Sequence, residues 1–182
     1  MSSLATRKNP SSIARFPGMG RLAYLMALHA ENHRRLVRMF DVESLAVGPY
    51  VSSVGDGVDL HVDVLERHAY TVDLRMTYGM TDPLTGARDP SAFVRVYRDA
   101  RMAEATHCYV GRRWQDVLGL FPEPRVLVGH RLRMSSFLGK WLEFLGEQGH
   151  SRFTLRWQEA AHLDADDPDS PWLTALERSG TG

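Results

Sequence analysis

The segment HAENH, residues 29–33, places two histidines four residues apart with a glutamate between them. On a helix this spacing brings both imidazoles to one side, where they could bind zinc. In zinc proteases, however, the glutamate directly follows the first histidine so that it can reach the metal-bound water. Here Ala30 follows His29, and Glu31 lies about 200° around the helix from it. With no third ligand nearby, we expect both histidines at the edge of the core and no metal site.

Cys108 is the single cysteine, and its neighbour His107 could act as its base. Adjacent residues of a strand point to opposite faces of a sheet, however, so the two side chains cannot easily pair. We therefore expect a buried structural thiol and assign no catalytic residue. A lone cysteine also excludes a disulfide within the chain and fits a reducing cytoplasm.

The segment FVRVYRDARMAEATHCYV, which begins at Phe93, predicts a hairpin that contains a polar cluster. With a two-residue turn at Asp99-Ala100, Arg98 faces Arg101 and Arg95 lies directly opposite Glu104. Tyr97 follows one step along the same face. The other face then carries Val94, Val96, Ala103 and Ala105, and we expect it to be buried.

This polar cluster (Arg95, Tyr97, Asp99 and Glu104) is the main candidate binding site. An arginine fork can hold a carboxylate or phosphate, and a tyrosine can donate a proton or offer a stacking surface. Glu66, Arg67 and Tyr70, near the turn of another predicted hairpin, would join the site if the two hairpins are neighbours. The alternative is a solvated sheet face with a cross-strand ion pair that contributes under ~1 kcal/mol.

Period-two patterning predicts that other hairpin. Apolar residues alternate with polar ones over residues 58–64 and 70–78, which predicts two half-buried antiparallel strands joined around residues 67–69. The segment TDPLTGARDP that follows is rich in turn residues and predicts a loop.

Helical periodicity flanks these strands. An apolar stripe from Leu22 to Phe40 predicts an amphipathic helix, and a second stripe from Met134 to Leu145 predicts another, ending at Gly149. Residues 111–133 are less regular. The sum is an α+β domain in which hairpins build an antiparallel sheet and the N-terminal and C-terminal helices cover one face.

The 182-residue chain fits one domain, with a disordered leader over 1–16, a single α+β domain over 17–160 and an acidic, mobile tail over 161–182. No apolar run approaches the roughly 20 residues of a membrane helix. The formal charge is zero, in blocks of opposite sign. This balance disfavours a nucleic-acid partner and favours internal pairing or contact between two copies, so a homodimer is one expected assembly.

Several motifs carry a family resemblance. The runs PSAFVRVYRDARMAEA and FLGKWLEFLGEQG, together with FPGMGRL and LERHAYT, resemble the YqiB-like family, a domain-of-unknown-function family. The likeness spans residues 16–150, and the family pattern includes the equivalents of Arg95, Tyr97, Asp99, Ala103 and Glu104. It implies a cytoplasmic bacterial protein and supplies no activity.

Two functions are compatible with these residues. The first is a non-enzymatic binding or regulatory domain that uses the Arg95, Tyr97 and Glu104 face as its contact surface. The alternative is a small enzyme acting on a nucleotide or phosphorylated metabolite, with Glu104 or Glu66 as general acid/base in a cleft. The sequence leaves open whether the protein is an enzyme. No motif calls for a cofactor, and the expected ligand is a small anion or nucleotide.

Overall fold

The computed structural model of the protein describes residues 20–55, 57–79, 91–107 and 123–158. It contains a six-stranded antiparallel sheet and two helices, which confirms the predicted α+β class. Cys108, the leader over 1–16 and the tail over 161–182 lie outside the described residues. The elements are α1 (Arg21–Phe40), β1 (Gly48–Ser52), β2 (Leu60–Arg67), β3 (Thr71–Tyr78), β4 (Ser91–Tyr97), β5 (Met102–His107), α2 (Pro124–Glu147) and β6 (Leu155–Trp157).

The sheet has the strand order β5-β4-β3-β2-β1-β6, so the two predicted hairpins form four consecutive strands, with β5 at one edge. β3 pairs with β4, with Thr71 opposite Tyr97 and Thr77 opposite Ser91. The hairpins are therefore direct neighbours, which the sequence could not establish.

Strict alternation divides the sheet into an apolar face and a polar face. Val64, Leu74, Val94 and Ala105 lie side by side in register across four strands, and all are buried. They share one core cluster with residues of both helices, among them Leu36 of α1. The predicted parity of both hairpins is confirmed.

α2 begins at Pro124, about ten residues before the predicted start near Met134. The expectation of an irregular stretch up to residue 133 is therefore wrong over 124–133. Proline at the first position of a helix is favourable because its missing N–H would have no helical partner there. The stripe was hard to recognise because the buried face of the first turns includes His130 rather than a continuous apolar row.

β1 and β6 were not predicted, because neither is long enough to show an alternating pattern. β6 has three residues and pairs with β1, placing Tyr50 opposite Trp157. Their rings are 5.1 Å apart in an edge-to-face arrangement. Gly48, with φ +146°, lies beneath the same indole; a Cβ built there would approach it to 2.2 Å.

The turn between β4 and β5 spans Arg98–Arg101 rather than two residues. The predicted register from Val94–Ala105 to Tyr97–Met102 is confirmed, but Arg98 and Arg101 are not a strand pair. Asp-Ala does not favour a two-residue turn, whereas a four-residue loop can end on a left-handed residue. Arg101 takes that position, with φ +52°.

We predict that Gly48→Ala destabilises the protein by about 1–3 kcal/mol, because its Cβ would clash with the Trp157 ring. Urea unfolding measures the loss. Gly146→Ala in α2 is the matched control, since its Cβ would meet only Met39 at 3.8 Å and a helical glycine costs up to about 1 kcal/mol relative to alanine. A control as unstable as Gly48→Ala would contradict this account.

Candidate functional site

Arg95 lies at the centre of a charged row on the polar face. Asp73 of β3, Arg95 of β4 and Glu104 of β5 are in register, as predicted for the second pair. The side chain of Arg95 nevertheless pairs with Asp73: its Nε and Nη2 donate to the two carboxylate oxygens, each at 2.7 Å. This bidentate contact raises the pKa of Arg95 further above its ordinary value.

Glu104 is held by two other donors. Tyr97 Oη donates to one carboxylate oxygen at 2.8 Å, and Arg131 Nη1 donates to the other at 3.2 Å. The Glu104 side chain is only 12% exposed. Burial, followed by the hydrogen bond to Glu104, raises the pKa of Tyr97. Both oxygens of Glu104 thus accept hydrogen bonds from the chain itself.

Arg131 is one of two site residues that sequence reasoning missed, the other being Asp73. Arg131 belongs to α2, in the stretch expected to be irregular, and lies 27 positions along the chain from Glu104. The proline at the start of α2 was the one available signal, because a helix beginning there places Arg131 in a defined position beside the sheet.

Asp99 and Tyr70 lie at the tips of the two hairpins. The N–H of Arg98 donates to the carbonyl of Tyr70 at 2.9 Å, so the turns are in contact. The carboxylate of Asp99 accepts from the N–H of Ala100 and shapes its own turn. The Tyr70 residue is 67% exposed beside this contact.

A bulge in β2, just before Glu66, determines the faces on which Glu66 and Arg67 lie. The register shifts between Val64 and Glu66, after which Glu66 lies opposite Asp73 and Arg67 opposite the buried Val72. Glu66 is exposed and contacts His68 at 3.1 Å. Arg67 is on the core side of the sheet and donates to the carbonyl of Leu45 at 2.8 Å. The structure therefore does not bring Arg67 into the Arg95 cluster.

Among the described residues, a small depression lies beside Arg95. Its volume is about 180 Å³, below the ~300–1,000 Å³ typical of small-molecule pockets. Its polar-face lining includes Leu65, Asp73, Phe93, Arg95 and Thr106. This depression can hold one side chain but is too small for a nucleotide.

The two histidines of HAENH have different partners. His29 Nε2 lies 2.9 Å from Ser135 Oγ, and His33 Nε2 lies 2.8 Å from Glu43 Oε1. Both histidines are buried and have polar partners, as expected for the core edge. Among the residues with described positions, no group of three or more histidine, cysteine or acidic side chains could hold a metal ion.

Three buried histidines have pKa values shifted by their surroundings. Removal from water lowers the pKa of His29, His130 and His150 below the ordinary value of 6.5. His150 is 2% exposed, and its Nδ1 lies 2.9 Å from Ser52 Oγ. Each of these rings is therefore more readily protonated in the unfolded chain than in the fold.

Comparison with known proteins gives the family. The family described as protein of unknown function (DUF1249) matches residues 35–151. The chain belongs to this family. The matched range includes every candidate residue of the polar face as well as Arg131, but not His29 or His33. No curated protein matches the chain, and no solved structure does.

Within the described ranges, neither helix is long and apolar enough to cross a membrane. The longer one, α2, has 24 residues. Charged side chains recur along it, beginning with Arg125, Arg131 and Arg133.

We predict that Tyr97→Phe lowers the free energy of unfolding more than Arg95→Gln does. Tyr97→Phe removes a donor from the mostly buried Glu104, at a cost of about 1–3 kcal/mol. The Arg95 side chain is 47% exposed, so solvent screening limits its contribution to under ~1 kcal/mol. Urea unfolding at low and high salt measures both. A greater loss for Arg95→Gln, persisting at high salt, would show that Asp73 is the more important partner.

We also predict that the free energy of unfolding decreases as the pH is lowered below 6.5, the ordinary histidine pKa. The reason is that unfolding lets His29, His130 and His150 bind protons. The contribution of these three histidines to the free energy of unfolding is complete above that value. It declines as the pH falls toward their lower pKa values in the folded state. Urea unfolding between about pH 7.5 and about pH 5.5 measures the slope.

His150→Gln should reduce this slope, whatever its effect on absolute stability. His68→Gln is the control, because the His68 side chain is 63% exposed. If His68→Gln changes the slope as much as His150→Gln does, burial is not the cause of the pH dependence.

Proposed function

We propose that the protein is a non-enzymatic binding or regulatory domain whose contact surface is the polar face around Arg95, Tyr97 and Glu104. The supporting observation is that Glu104 and Arg95 already have hydrogen-bond partners within the chain. Both oxygens of Glu104 accept hydrogen bonds, and Arg95 is fixed by Asp73. Such an arrangement favours recognition by a rigid surface over proton transfer.

Two guanidinium groups supply the recognition chemistry. The side chains of Arg95 and Arg131 are each 47% exposed. Arginine has five N–H donors, and each of these residues uses only part of its set within the fold. The remaining donors can bind a carboxylate or phosphate of a partner. Tyr70 adds an exposed aromatic ring at the hairpin tip, a residue type enriched with arginine at protein interfaces.

The size of the depression beside Arg95 favours a protein partner over a nucleotide. About 180 Å³ can hold one acidic side chain of a partner surface. A second copy of this chain is one such partner, since the charge blocks of the sequence have opposite signs. The enzyme alternative needs a cleft at this position and an acid/base that is free to act. We further propose that the protein is a cytoplasmic bacterial member of the YqiB-like family.

The test combines sedimentation velocity over a range of protein concentrations with turnover assays on nucleotides and phosphorylated metabolites. We expect no turnover of any screened compound. We expect self-association to be lost in Arg95→Ala and kept in Arg125→Ala, which removes an exposed arginine in the first turn of α2. Turnover that disappears in Glu104→Gln would favour the enzyme instead. Self-association that persists in Arg95→Ala would overturn the assignment of the surface.

A further inference from the structure

A larger groove lies along the C-terminal half of α1, separate from the polar face. Its volume of about 590 Å³ falls within the range of small-molecule pockets. One stripe of α1 forms a wall through Ala30, His33, Arg34, Val37 and Arg38, whose spacing places them on one side of the helix. The other lining residues are Glu43, just beyond α1, and Arg101, in the turn between β4 and β5.

The groove has an excess of positive charge. Three arginines line it against a single carboxylate, Glu43, which already pairs with His33 at 2.8 Å. Arg34 is hydrogen-bonded to Glu31. Arg38 and Arg101 are exposed, and in the described part of the chain neither forms an ion pair or a side-chain hydrogen bond. Two guanidinium groups are therefore available to an incoming anion.

The backbone of Arg101 is an independent observation. Its φ of +52° is a left-handed conformation that glycine adopts without strain and that few other residues adopt. A strained residue persists where the surrounding structure requires it, and such residues cluster at ligand sites. Turn geometry alone would favour glycine at this position. The turn therefore does not explain why this residue is an arginine.

Helix electrostatics account for only part of this arrangement. Arg38 lies in the last turn of α1, where a cation interacts favourably with the helix dipole. Arg101 is on another element, in the turn between β4 and β5, so α1 does not explain why an arginine occurs there. Ala30 and Val37 add an apolar wall, which would contact the organic part of a ligand.

We propose that this groove binds a small molecule that bears a phosphate group, held by Arg38 and Arg101. Paired guanidinium forks match the several oxygens of a phosphate, and the volume leaves room for an organic body against Ala30 and Val37. The site is distinct from the Arg95 surface, so either assignment can fail without the other.

Isothermal titration calorimetry of the full chain with inorganic pyrophosphate tests this site, with sodium chloride matching the ionic strength. We expect saturable binding that weakens about tenfold or more in Arg38→Gln and in Arg101→Gly, since each removes a charge-assisted contact. Binding should be unchanged in Arg125→Gln, which removes an arginine outside the groove.

Arg101→Gly also separates binding from folding. Glycine suits the left-handed turn, so the thermal midpoint of this variant should equal or exceed that of the wild type while binding is lost. The absence of saturable pyrophosphate binding up to millimolar concentration would overturn the proposal. So would unaltered binding in Arg38→Gln and Arg101→Gly. Tighter binding of citrate with the same arginine dependence would overturn the phosphate assignment in favour of a carboxylate ligand.

Discussion

The burial of every second side chain beneath the two helices determines what the rest of the sheet can do. The row Val64, Leu74, Val94 and Ala105 crosses four strands and is apolar throughout. One residue along β3 and β4 lie Asp73 and Arg95, which must face the other way. A slip of one residue between strands would place charges in the core and expose the apolar row. The charged row is thus a geometric consequence of core formation, and its members are in hydrogen-bonding reach for that reason.

The central hairpins could be predicted because their signal is local. Period-two patterning in β2 to β5 reports burial residue by residue, and the register of the second hairpin followed from its parity. β1 and β6 gave no comparable signal, since five and three residues are too few to establish a period. The first turns of α2 were missed because His130 and several arginines interrupt its stripe. The pairing of the two hairpins is a long-range contact that no local pattern contains.

The candidate residues show a similar division. The sequence placed Arg95, Tyr97 and Glu104 on one face of the sheet. However, β4, which carries Arg95, has a neighbouring strand on each side. Which acid Arg95 would bind depended on the unpredicted pairing with β3, and Asp73 lies on that strand. A single bulge in β2 placed Glu66 on the polar face and Arg67 on the core face, the reverse of uninterrupted alternation. The groove along α1 could not be predicted from local sequence patterns, because it is formed by a helix and a turn some 60 residues apart in the chain.

The pairing of β1 with β6 also affects how the protein is made. Tyr50 emerges from the ribosome early, whereas its strand partner Trp157 belongs to the last described strand. The hairpins β2–β3 and β4–β5 can form from contiguous chain, but the outer side of β1 cannot be covered until residues 155–157 are available. An uncovered strand edge offers N–H and C=O groups to any other extended chain. A nascent chain whose synthesis pauses before residues 155–157 therefore has an unpaired edge at β1. That edge can associate with other nascent chains on the same mRNA.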